Sequence, residues 1–132
     1  MSDERVLLES RKLPTGLALH LYDGSRKIAG DRWYVQLQVE IPIPLDDAML
    51  RTLDAEDKDV LDAFRHQVGD PYIYRYQKEK NFVDAGEKDA ALEQLKEDFL
   101  STNWNYLSHP RFAELTVRKS FWEWMERRRW YA

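Results

Sequence analysis

The chain has no cysteine among its 132 residues, which excludes disulfides, thiol nucleophiles and thiolate-bound zinc or iron–sulfur centres together. No run approaches about eighteen consecutive apolar residues, so no membrane span is expected. The opening Met1-Ser2-Asp3-Glu4-Arg5 is acidic and lacks the basic region and apolar run of a secretory leader, so a cytoplasmic protein is expected. Also missing are a Walker loop, a dinucleotide-binding glycine fingerprint, Gly-x-Ser-x-Gly and His-Glu-x-x-His, the local signatures of several nucleotide-dependent and hydrolytic chemistries. The three histidines, His20, His66 and His109, fall in three different predicted elements, none beside a nucleophile pattern. A net charge of −4 weighs against general affinity for nucleic acid, which needs a positive footprint to meet phosphates.

What is present is an ordinary globular composition, 43% hydrophobic and 33% charged, in a length suited to one domain with a sizeable core. Its strongest pattern runs from Asp31 to Ile43, where Trp33, Val35, Leu37, Val39, Ile41 and Ile43 alternate with Tyr34, Gln36, Gln38, Glu40 and Pro42. Six apolar residues at period two specify a strand with one dry face and one wet face, because successive side chains leave a strand on opposite sides. Such a strand requires neighbouring strands and a cover over its apolar face.

Val6–Leu13 reads as an edge strand closed by the turn residues Pro14-Thr15-Gly16, and Leu17, Leu19 and Leu21 mark the dry face of a second strand. Asp23 to Gly30 reads as a loop, so the first forty-odd residues are expected to form a three-stranded antiparallel meander. Pro42 and Pro44 end the long strand. After a short helical turn at Asp46 to Arg51, Asp54 is the expected cap of a helix from Ala55 to Val68, with Gly69 and Asp70-Pro71 stopping it. Tyr72, Tyr74 and Tyr76 open a fourth strand that continues to Val83. Asp84 and Glu87 have capping-box spacing for a helix carrying Ala91, Leu92, Leu95, Phe99 and Leu100 inward, with its end at either Thr102 or Leu107. Ser108 and Pro110 then signal a last helix to about Arg129. The expected fold is a single α+β domain: an antiparallel sheet of about four strands, in the order β-β-β-α-β-α-α, with helices on one face.

Charge is unevenly distributed. From Asp46 to Asp70 there are eight acids against three bases, and from Arg111 onward six bases against three acids, so the two regions attract each other or copies of each other. The last helix interleaves Phe121, Trp122, Trp124 and Trp130 with Arg118, Lys119 and Arg127-Arg128-Arg129. Its apolar arc is wider than one contact surface requires: Phe112, Leu115 and Trp122 point one way, Val117, Phe121, Trp124 and Met125 another. That arc fits burial that includes a second copy, while arginine beside tryptophan also suits stacking on single-stranded nucleic acid.

Arg26, Lys27 and Arg32 gather near two glycines, a composition suited to a phosphate or carboxylate. The stretch begins like the Asp-x-Ser-x-x-Gly element of cyclic-dinucleotide-binding PilZ domains, but Ile28 stands where that glycine would be, which excludes the match. The acids at 54, 56, 57, 59 and 62 resemble a calcium loop only in composition, since its glycine and twelfth-position acid are replaced by Asp59 and Arg65. No catalytic residue, cofactor or metal is expected. The leading expectation is a non-enzymatic interaction or homodimerisation module. The alternatives are a nucleic-acid-binding module using the basic aromatic helix, and a small-molecule binder or enzyme with a pocket between sheet and helices.

Overall fold

The computed structural model describes residues 5–131, without the side chains of Trp130 and Tyr131. It is α+β, with strands β1 (Val6–Lys12), β2 (Ala18–Asp23), β3 (Arg26–Ala29), β4 (Arg32–Ile43) and β5 (Tyr72–Asp84), and helices α1 (Asp47–Arg51), α2 (Lys58–Val68), α3 (Lys88–Leu107) and α4 (Phe112–Tyr131). The sheet is antiparallel: β1 pairs β2, and β2, β3 and β5 all pair β4. The chain falls into two compact units, one comprising the chain through Ile41 with Arg75–Ser108, the other Pro42–Tyr74 with the chain from His109 onward.

In the first unit the alternation of β4 is realised as expected. Val35, Leu37, Val39 and Ile41, with Leu19 and Leu21 of β2, are at most 1% exposed. Each such burial is worth about 1.5–3 kcal/mol relative to exposure. Helix α3 covers the unit with Leu92, Phe99 and Leu107, Phe99 meeting the Tyr76 ring at 4.6 Å. Lys96 of α3 reaches Glu9 of β1 at 2.9 Å. The tyrosine at 76 thus sits under a helix rather than on an open recognition surface.

The expected loop after Asp23 is instead largely strand. Pairs His20 with Glu40, Tyr22 with Gln38, Arg26 with Tyr34 and Lys27 with Trp33 keep one register against β4, so β2 and β3 are successive segments of one hairpin arm. At the interruption the Gly24 amide donates to the Gln36 carbonyl at 3.0 Å, while the Gln36 amide donates to the Ser25 hydroxyl at 3.0 Å in place of a backbone carbonyl. Sequence composition concealed this strand because a side chain supplies the missing rung. Gly24 is required for a second reason: a Cβ there would lie 2.5 Å from Oε1 of Gln36.

On the polar face of the same unit a directed chain of hydrogen bonds runs along β4. Arg5 donates to Gln38 at 3.2 Å, Gln38 to Gln36 at 2.6 Å, and Gln36 to the Tyr34 hydroxyl at 3.1 Å. Gln36 is only 8% exposed, and this chain satisfies its amide group. Glu40 receives Arg5 at 2.9 Å, which holds its carboxyl below the ordinary range, with Arg75 adding to the effect at 3.4 Å.

The second unit packs α2 and α4 around Phe64, Phe112, Val117 and Phe121, each no more than 2% exposed. Phe64 meets Phe121 edge-on at 5.1 Å and Trp124 at 5.5 Å. The short helical turn expected at Asp46 to Arg51 is α1, with Asp46 as its cap, accepting from the Met49 amide at 2.9 Å. Asp70 ties the chain after α2 back to the end of β4: one oxygen accepts from the buried Leu45 amide at 3.0 Å, and the other from Arg65 at 2.9 Å. The Leu45 amide first, then Arg65, lowers the pKa of Asp70.

Three helix starts differ from the sequence reading. Asp57, not Asp54, caps α2, accepting from the Asp59 amide at 2.9 Å, while Asp54 takes a left-handed φ of 57° ahead of it. Asp84 makes no capping bond because Arg32 claims its carboxylate, and a single 3-10 turn, Ala85–Glu87, precedes α3. Ser108 ends α3 rather than starting α4, and its hydroxyl has no hydrogen-bond partner. The ring of His109 does that work instead, accepting from the Arg111 amide at 3.0 Å. Helix α3 continues to Leu107, whose full burial favours carrying the helix past Thr102.

Candidate functional site

The anion candidates do not converge. Arg26 and Lys27 are consecutive on β3 and therefore leave it on opposite faces. The Arg26 guanidinium lies 4.4 Å from the centre of the Tyr34 ring, Lys27 is opposite Trp33, and Arg32 pairs with Asp84. Each belongs to a different local contact, so they form no common cradle.

The aromatic residues of α4 are better assembled. A twenty-residue helix exposes more than one row, and α2 can cover only one. Val117 and Phe121, four apart, are buried, Trp124 is half-buried, and the next row leaves Leu115 46% and Trp122 54% exposed. Trp122 is held upright by an edge contact with Phe121 at 5.4 Å rather than being folded inward. Beside it, Val60, Trp122, Met125, Glu126, Arg128 and Arg129 line an open groove of about 410 Å³ between α2 and α4. Across α4, a second open groove of about 560 Å³ places His66 and Gln67 near Trp124, Arg127 and Arg128.

Cations frame this surface. Arg128 lies 5.0 Å from the centre of the Trp124 ring, Arg129 is 4.0 Å from Glu126, and Arg127 forms no ion pair among the described residues. Arg118, by contrast, is structural: it donates to the Thr52 carbonyl at 3.0 Å and to Glu114 at 2.8 Å. Glu114 is held below the ordinary carboxyl range, chiefly by Arg111. Trp130 belongs to the predicted contact set, but its side chain lies outside the described residues. No protein-family model, curated protein or solved structure matches the chain. The surface must therefore be read from its own chemistry.

Leu115 and Met125 belong to the apolar arc read from the sequence, whereas Val60 joins the site from α2 without having been singled out for it. Their helical spacing was visible, but which row α2 would leave open was not. Two further grooves lie elsewhere on the described surface. One, of about 640 Å³, lies beside α1 and the start of α2, where Asp54, Glu56 and Asp62 face Arg51 and Lys58. The other, between β5 and α3, measures about 200 Å³, below the roughly 300–1,000 Å³ common for small-molecule sites. Among the described residues no three His, Asp or Glu side chains converge as for a metal, and no helix is long and apolar enough to cross a membrane.

Proposed function

We propose that this chain is a non-enzymatic protein-interaction module, acting in the cytoplasm and assembling with a second copy of itself through the α2–α4 face. The observation that carries this reading is Trp122, 54% exposed beside an apolar groove on a helix whose Phe112 and Phe121 are buried. Exposed tryptophan ringed by arginine is the composition of energetic centres in protein contacts, where a large rigid side chain gains area at little entropic cost. Leu115, one heptad before Trp122 on the same row, extends the apolar strip along α4. The cysteine-free composition suits a reducing compartment.

Sedimentation or light scattering at tens to hundreds of micromolar tests the reading. The expected result is a two-chain mass for the native protein and a one-chain mass for Trp122→Ser, with the far-ultraviolet circular dichroism of a folded chain retained because Trp122 is largely outside the core. A one-chain mass for the native protein throughout this range overturns it.

A further inference from the structure

The geometry points to a specific occupant for the Trp122 groove: the acidic segment Asp54–Asp59 of the second copy, seated reciprocally around a two-fold axis. This inference rests on the self-association proposed above and deepens it by naming both halves of the contact. The groove floor is apolar, formed by Val60, Trp122 and Met125, and its rim carries Arg128 and Arg129 against one acid, Glu126, 4.0 Å from Arg129. A complementary occupant must therefore bring negative charge on a small, protruding segment.

The chain carries such a segment. Asp54, Glu56, Asp57 and Asp59 are exposed, with the small Ala55 and a single base, Lys58, among them. None of these four carboxylates has a salt-bridge partner among the described residues, although Asp54 and Glu56 share a groove with Arg51 and Lys58. Asp54, with its left-handed backbone, turns the chain immediately before α2. These acids and Arg127 and Arg128 thus occur in one compact unit without forming ion pairs with one another among the described residues.

Their placement favours closure. Val60 of the groove lies three residues beyond the Asp57 cap, so segment and groove lie within about one helical turn of each other along α2. Adjoining complementary patches satisfy each other in pairs under a two-fold axis, whereas patches on opposite sides generate open chains. The assembly should then weaken with added salt, as exposed ion pairs do.

Charge exchange tests this. Glu56→Lys with Asp59→Lys makes the segment basic while sparing the Asp57 cap, and Arg128→Glu with Arg129→Glu makes the rim acidic. Each double variant alone is expected to be a single chain, with self-association weakened at least about tenfold. Mixed one to one, the two are expected to recover a two-chain species containing one of each, because each contact then joins opposite charges. Circular dichroism of both variants establishes that they are folded. A native dimer whose variants still self-associate, or whose folded variants fail to combine when mixed, overturns the assigned surfaces while leaving self-association intact. A native protein that stays a single chain removes both readings. In that case, single-stranded oligonucleotide binding that weakens steeply with salt and is lost in the Arg128/Arg129 variant assigns the rim to nucleic acid instead.

Discussion

Phe64 offers the sharpest test of how the second unit is held together. Its side chain is 0% exposed and is the ring on which Phe121 and Trp124 converge, at 5.1 and 5.5 Å. Phe64→Ala removes the buried ring and leaves a void, a change that costs about 3–5 kcal/mol when the surroundings do not collapse. Two aromatic contacts disappear with it, each worth about 0.5–1.5 kcal/mol beyond area burial, which places the expected loss toward the upper end of that range. For a chain of this length the corresponding fall in thermal midpoint is about 10–18 °C. Phe64→Leu keeps most of the volume and should lose under half as much. Urea denaturation followed by tryptophan fluorescence and by far-ultraviolet circular dichroism supplies both values. A loss below about 1 kcal/mol for Phe64→Ala would show that α2 does not key into α4 through this ring, and the exposure of Trp122 would then need another explanation.

Two further outcomes follow from polar contacts. Asp70→Ala leaves the buried Leu45 amide without its acceptor and should cost about 1–3 kcal/mol in denaturant unfolding, while Asp70→Asn retains an acceptor, loses only the exposed Arg65 ion pair and should cost less than about 1 kcal/mol. Glu40 is held below its ordinary value of 4.5, chiefly by Arg5, so the stability it contributes is fully present above about that pH and is lost as pH falls through the lowered folded-state value. Glu9, lowered by Arg11 and then Lys96, acts in the same direction. Urea midpoints measured from pH 7 down to about 3 should therefore fall on the acid side, and Glu40→Gln should make that fall shallower.

Much of this architecture was written in residue periodicity. The β4 alternation, the helix ending at Val68 and the strand opening at Tyr72 all appear where their patterns place them, because burial on one face forces period two or period 3.6. What escaped were features decided by single polar side chains. Ser25 supplies a rung that makes β3 part of the sheet, Arg32 takes Asp84 away from helix capping, and His109 replaces Ser108 at the start of α4. Such substitutions involve partners distant in sequence or geometry finer than composition conveys. For the candidate surface, the excess of aromatic residues on α4 was legible, and so was the opposition of acidic and basic regions. Which row would remain uncovered depended on how much of α4 a helix of 11 residues could reach.

The two compact units interleave along the chain, each built from two separated stretches. During synthesis the first has all its parts once Ser108 has left the ribosome, whereas the second must wait for α4, so its hydrophobic residues from Ile43 to Phe64 emerge well before their covering helix. No single cut yields either unit whole, and truncated fragments should serve as substrates for chaperones and proteases rather than as autonomous domains.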